Sequence, residues 1–356
     1  AVLRFEPCNE RRFDVDDLTS DPWGLNPADY PENSPFAEQA KFLLHYAVLA
    51  PSSHNTQPWL FWIGRETIEV FADRLRALPV VDPHDRELVI SCGCAVETLC
   101  VAARRFGFAP MVTLSPDSND QDLLARVRLW KTGQMGPPSA QFDAILHRRT
   151  TRKSYRAEPL PEHLMATCKA HAAAAGVNFD TYESPQDRTR IAQLVVEGDR
   201  RQFDDPAFRR ELAAWVHSTQ LGSRDGISGH AFGMPDILAP VARFVIRTFD
   251  VGNAVAAEDE KKITEGTPAL GILSTSTDDK DSWVATGRAL SAILLELTAA
   301  GYTASFLNQP IEVPDLRPAL AMAARLEGFP QVVLRLGKAD VLPEMAARRD
   351  VSEVLI

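Results

Sequence analysis

The chain has 356 residues, 45% of them hydrophobic and 24% charged, the balance of a soluble globular protein and enough length for two cores. A net charge of −10 argues against nucleic acid or an anionic membrane as the main partner. No apolar run approaches the ~20 residues of a membrane span.

Residues 1–36 are polar and broken by prolines at 7, 22, 27, 31 and 35, and they read as an extended N-terminal arm with Trp23 and Phe36 as anchors. The apolar stretch Phe42 to Ala50 reads as a helix, which Pro51 ends. The decapeptide Ala50-Pro-Ser-Ser-His-Asn-Thr-Gln-Pro-Trp59 places four neutral hydrogen-bonding side chains, Ser52, Ser53, Asn55 and Gln57, between two prolines. Such a loop suits a polar, planar ligand; the same residues also suit a capped helix-to-strand turn. Strands are expected at Trp59 to Ile63 and Thr67 to Ala72.

An apolar helix follows from Gly93 to Gly107, then a strand from Ala109 to Leu114. The same pattern returns at Gly287 to Gly301 with a strand from Thr303 to Leu307. In both copies alanine stands two places in (Ala95, Ala289) and the final glycine reads as a helix stop. Two Ala/Leu-rich helices resemble each other by chance, but the matched glycines and following strands favour a repeat. A Gly/Pro-rich linker at 132–140 divides the chain into a first half at 37–136 and a second at 137–356.

The second half opens on His147-Arg-Arg-Thr-Thr-Arg-Lys153, a basic cluster out of character with the chain's acidity. Guanidinium groups match phosphate oxygens in pairs, and a solvated basic turn has the same composition. Residues 185–217 have helical patterning, and 218–240 are Gly-rich and irregular. Buried strands are expected at Ala269 to Ser276 and Gln331 to Leu336, and a second basic pair, Arg348-Arg349, stands near the end. Strands mixed with buried helices give an α+β class.

Five scattered cysteines lack zinc spacing and read as small buried residues. Their odd count favours a reducing, cytoplasmic compartment; a start at Ala1 rather than Met leaves room for a removed export signal. No dinucleotide, Walker, nucleophile-elbow or zincin motif is present. Neutral hydrogen-bonders, phosphate-matching arginines and no nucleophile point to a bound cofactor that carries the chemistry.

Ala50–Trp59, Arg148–Arg152, the helix at 287–301 and the tail at 348–354 together resemble the nitroreductase family of flavoproteins, most closely the Acg-type branch in which two nitroreductase-like halves are fused. Asp85-Arg86-Glu87 leading into Cys92-Gly93-Cys94-Ala95, and Arg224 to Ile227, add to the likeness. The resemblance implies the nitroreductase-like fold and FMN held between the halves. It assigns Pro51, Ser52, Ser53, Asn55 and Gln57 to one wall of the site. Arg148, Arg149 and Thr150 would hold the ribityl phosphate, and Arg152 the pyrimidine edge. Leu307, Asn308 and Gln309 would lie near flavin N5, Lys262 on the O2 side, and Arg348 or Arg349 would complete the phosphate site.

The repeat offset of 194 residues puts a second decapeptide near 244–253, which reads Phe-Val-Ile-Arg-Thr-Phe-Asp-Val-Gly-Asn and lacks the pattern. Each half therefore retains one part of a site, and an internal pseudo-dimer holding a single FMN is expected, which would let the chain work as a monomer. The implied activity is NAD(P)H-dependent reduction of a small organic electron acceptor, with flavin N5 carrying the chemistry and no side-chain acid or base required. A segment at about 195–240 is the expected lid. The alternative is an FMN-sequestering protein whose lid blocks turnover.

Overall fold

The computed structural model of the chain describes residues 22–232 and 234–356. The expected arm at 1–36 thus falls largely outside the described residues, as does Gly233 of the expected lid. The described part of the arm runs along the first half, where Tyr30 stacks on Phe106 and meets Phe42 edge-on.

The first half is built from α1 (Phe36–Ala47), β1 (Trp59–Ile63), β2 (Thr67–Ala72), α2 (Arg86–Arg105), β3 (Phe108–Leu114) and β4 (Leu123–Lys131). Two short helices, α3 (Ala140–Ile145) and α4 (Glu162–Ala174), lead into β5 (Asn178–Tyr182) and the long α5 (Pro185–Asp204). Then come α6 (Pro206–Ala214), α7 (Ala239–Thr248), α8 (Gly252–Thr264), β6 (Ala269–Thr275), α9 (Lys280–Ala299), β7 (Thr303–Phe306), α10 (Gln309–Glu312), α11 (Leu316–Ala324) and β8 (Phe329–Gly337).

The strands form two four-stranded antiparallel sheets, ordered β1-β2-β4-β3 and β5-β6-β8-β7. Each sheet is thus strand, strand, central helix, edge strand, inner strand, with the two inner strands paired. The helix–glycine–strand pattern read from the sequence therefore recurs as a whole topology. Helices α2 and α9 are both 20 residues long, and both are followed by a glycine in the left-handed region, Gly107 (φ 80) and Gly301 (φ 78). A side chain there would be strained, so the glycines stop the helices as expected.

Helix α2 is buried along almost its whole length and α9 along its middle, and the two cross at Gly93 and Gly287. A Cβ on Gly93 would lie 2.3 Å from the Val284 carbonyl oxygen, and one on Gly287 would lie 2.0 Å from the Ile90 carbonyl oxygen. Val284 follows Ile90 at the same 194-residue offset as the glycines, so the contact is reciprocal, as across a two-fold axis. Thr98 and Ser291 share a hydroxyl hydrogen bond at 3.0 Å along the crossing, and Arg288 donates to Glu97 at 2.9 Å.

After β8 the chain crosses back to the first half. Phe61 donates its N–H to Val354 and accepts from Ile356, which extends the β1 edge. The segment inserted between α5 and α8 has its own small apolar cluster, in which Phe208, Leu212, Ala242 and Ile246 pack with Leu78 and Val81. It therefore leans on the first half rather than on the sheet that precedes it. Among the described residues no helix is long and apolar enough to cross a membrane.

Candidate functional site

The decapeptide is a kinked loop. His54, Asn55 and Gln57 all take left-handed backbone angles (φ 50, 54 and 52), a conformation that costs non-glycine residues on the order of 1 kcal/mol or more each. The loop holds because its own polar groups over-determine it. Ser52 Oγ accepts from Gln57 N at 2.9 Å, and Ser53 Oγ donates to Glu87 at 2.6 Å. Pro51 and Gln57 are buried; Ser52, Ser53 and Asn55 are half-buried.

The tail of the second half lies against this loop. Arg348 donates to Asn55 Oδ1 at 3.0 Å and to the carbonyls of Leu49 and Ala50 at 3.2 and 3.3 Å. Asn55 Nδ2 donates to Ala347 O and to Gly226 O, both at 3.1 Å. Gln57 Oε1 accepts from Arg349 N at 2.8 Å, and Gln57 Nε2 donates to Arg224 O at 2.9 Å. The amides of Asn55 and Gln57 thus join three segments: the decapeptide, the tail and 224–226.

The structure brings Arg148 beside Arg348, and both are buried. Among the described residues the Arg148 guanidinium meets no carboxylate and no hydrogen-bond acceptor. Burial pushes Arg148 down to about 10, opposed only by Cys94. Burial, and then the charge of Arg148, holds Arg348 well below its ordinary value, and its Nε lacks a partner. Two desolvated like charges with no counter-charge are costly, and a chain carries them where an anion completes the site. Guanidinium groups match a phosphate dianion in charge and donor geometry.

The other candidates are placed as follows. Arg149 is turned to the tail, donating to Pro343 O at 3.0 Å and Met345 Sδ at 3.2 Å. Thr150 bridges to Ala304 beside β7. Arg349 is drawn to Asp73 at 3.4 Å and to the Glu353 carbonyl, away from the Arg148–Arg348 pair. Lys262 sits in an acidic pair, 3.1 Å from Glu258 and 3.5 Å from Asp259. Leu307 is buried against Val333, and Asn308 ties β8 to α2 through Val333 N and Glu87. Gln309 donates to Asp199 at 2.9 Å, and its Oε1 is buried without a partner.

Arg152 keeps an exposed surface, yet the atoms crowded around its guanidinium desolvate it and hold it below its ordinary value, opposed by Asp259 and reinforced by Arg335. It also acts on His54, which burial pushes down to about 4 against the pull of Glu87. His54 is therefore neutral at neutral pH, inside the loop and in electrostatic reach of Arg152. Arg335, 2% exposed, stacks on Tyr155 and keeps an unpartnered Nε. His54, Glu87 and Arg335 did not figure among the candidates read from the sequence, although His54 stands inside the decapeptide.

A cavity of about 650 Å³ lies away from the Arg148–Arg348 pair; Leu75, Pro79, Ala207, Glu211, Trp215 and Asp225 line it between the 75–80 loop and the inserted helices. The insertion reaches the decapeptide through a narrow part of the expected lid. Arg76 clasps Asp225 at 2.7 Å and lies 5.7 Å from the Trp215 ring, while Arg224 pairs with Asp350. In contrast Val195, at the start of the expected lid, is fully buried in the second core. Asp225→Ala is expected to loosen 215–228 by about 1.5–3 kcal/mol, the size of a charge-assisted bond. Faster amide exchange there, with β6 unchanged, is the readout.

No family model matches the chain. It is similar to a Mycobacterium tuberculosis protein, Rv3131, whose name places it among the NAD(P)H nitroreductases: 32% identity over 339 residues, 93% of this chain and 95% of the relative. The chain belongs to the nitroreductase family. It is also similar to Acg of M. tuberculosis (26% identity, 91% of this chain and 97% of the relative) and to PigM of Serratia sp. (25%, 86% and 90%), both likewise named NAD(P)H nitroreductases. Among solved structures, the FMN-dependent nitroreductase NfnB of M. smegmatis covers 60% of this chain and 96% of its own at 16% identity, with a TM-score of 0.38.

Proposed function

We propose that the chain is an FMN-dependent, NAD(P)H-using oxidoreductase for a small organic electron acceptor, with a single FMN site assembled from unlike parts of its two halves. The observation that carries this reading is the Arg148–Arg348 pair beside the decapeptide: two buried guanidinium groups, one from near each end of the second half, that face no carboxylate among the described residues. The residues fit the cofactor. Arg148 and Arg348 would hold its phosphate, the Ser52–Asn55 turn one flank, and the Asn308–Gln309 turn the other. Bound FMN supplies two-electron transfer at N5 between the nicotinamide and the acceptor.

The protein's own residues set the electrostatics of the site. Arg152 would supply positive charge to the edge of a bound flavin, where it would favour the reduced, negatively charged form. His54, neutral at neutral pH, neither competes with that charge nor repels the arginine. The 224–226 segment is bonded directly to Asn55 and Gln57 and covers that edge of the loop. NADPH or NADH added anaerobically to the FMN-loaded protein is expected to bleach the flavin band within seconds.

The same 224–226 contact favours a second reading, in which the segment stays closed and the protein stores FMN. An unchanged spectrum after NAD(P)H, together with retained FMN, would select it. In the first reading Asp225→Ala leaves bleaching in place; in the second it creates bleaching where the wild type shows none.

A further inference from the structure

The described end of the N-terminal arm rests on the tail of the chain. The arm is fastened without that contact. Leu25 is 5% exposed in the core, and Gln39, fully buried on α1, donates to the carbonyls of Glu32 and Ser34, both at 2.7 Å. Trp23 reaches further. Its indole N–H donates to Ala346 O at 2.9 Å, and its ring lies over the Arg348 guanidinium, 4.9 Å from ring centre to Cζ. Asn55 of the decapeptide holds the next carbonyl, Ala347 O, at 3.1 Å. The arm and the decapeptide thus pin 346–348 together.

The partners of Arg348 are of one kind. Nη1 donates to Asn55 Oδ1 at 3.0 Å and to Ala347 O at 2.8 Å, and Nη2 donates to the carbonyls of Leu49 and Ala50, just past the end of α1. The indole takes a face of the guanidinium. Every one of these partners is neutral, and among the described residues no carboxylate pairs with Arg348. A carboxylate would cancel the charge. Carbonyl oxygens and the negative face of an aromatic ring hold a cation in place and leave its charge in force. We propose that the arm is part of the anion site and that Trp23 is its positioning residue: by covering and steering Arg348 it sets the grip on the phosphate of FMN and leaves the flavin ring alone. That the anion is FMN rests on the reading above; that the arm holds a cation ready for an anion does not.

FMN and riboflavin differ by that phosphate, so the two ligands separate the arm's effect from a general loosening. Trp23→Leu keeps apolar bulk and removes both the ring and the N–H. It is expected to weaken FMN by roughly three- to thirtyfold, the span of a cation–π contact from exposed to desolvated, and to leave riboflavin affinity unchanged. Trp23→Phe keeps a ring over the guanidinium and loses only the bond to Ala346, so it is expected to recover most of the loss. The ligand-free variants are expected to fold, because Leu25 and Gln39 still hold the arm.

Fluorescence titration of wild type, Trp23→Leu and Trp23→Phe with FMN and with riboflavin, read beside the melting temperature of each ligand-free protein, is the experiment. A loss confined to FMN and recovered by phenylalanine supports the proposal. Equal loss of both flavins, no loss of either, no recovery by phenylalanine, or a Trp23→Leu chain that does not fold overturns it. If the wild type takes up neither flavin, the FMN reading fails by itself, and inorganic phosphate becomes the probe. A rise in melting temperature that phosphate gives the wild type and not Trp23→Leu then supports the arm's role, and no difference between the two overturns it.

Discussion

Arg148→Met is expected to weaken FMN binding by about 1.5–3 kcal/mol, the loss of one charge-assisted contact to phosphate, or roughly ten- to a few-hundredfold. The same change is expected to leave the FMN-free protein as stable as the wild type, or about 1 kcal/mol more stable, because an unpaired buried charge is replaced by an apolar chain of similar length. The opposed signs make the test sharp. A structural arginine would lose stability and ligand affinity together. Among the described residues Arg148 has no acceptor to lose, which leaves its guanidinium available to a ligand. Arg348 is a poorer choice for this experiment, since it also fastens the tail to Leu49, Ala50 and Asn55. FMN titration by fluorescence, paired with urea unfolding of the same preparations, reads both quantities. Unchanged FMN affinity removes Arg148 from the site.

Gly287→Ala is expected to destabilise the chain by about 3 kcal/mol or more, at the upper end of what overpacking costs. Helix propensity alone predicts the opposite, a gain of about 1 kcal/mol for alanine over glycine in a helix interior. The clash decides the sign. The added Cβ would lie 2.0 Å from the Ile90 carbonyl oxygen and 2.7 Å from the Gly93 Cα. Both are backbone atoms, so no side chain can swing aside, and α2 and α9 must separate. Because the two helices carry one half each, their separation should also reach the site, where Glu87 of α2 meets Asn308 beyond β7. Stability unchanged within about 1 kcal/mol would mean that the crossing is not the close contact described.

The parts legible in the sequence were those with local signatures. The glycine-to-glycine spacing gave the two central helices and their stops, because a left-handed stop is a local demand that glycine meets. The decapeptide was legible because two prolines bracket it. Strand β4 was not read, although Ala125, Val127 and Leu129 alternate inward against Arg126, Arg128 and Trp130; the two arginines hide an inward face that is buried only because β2 and β3 flank it.

Glu87 was out of reach for a different reason. The carboxylate is unremarkable in its own stretch, and the partners that give it meaning, Ser53 and Asn308, lie on other segments, with Glu87 and Asn308 221 residues apart. Asn55 and Gln57 were legible as hydrogen-bonders; their use of the tail and of Arg224 and Gly226 follows only from the chain crossing back after β8. The basic pair Arg348-Arg349 reads as one unit, yet Asp73 draws Arg349 off while Arg348 turns to Arg148. Neighbours in sequence are divided by a partner that sequence does not show.

The account's central claim is one flavin site shared by two unlike halves of a single chain. Counting FMN bound per chain at saturation, by absorbance after removal of free ligand, tests it most directly. The account predicts a single equivalent, lost in Arg148→Met at ligand concentrations that saturate the wild type. Two equivalents per chain, or one that Arg148→Met retains with full affinity, would contradict it.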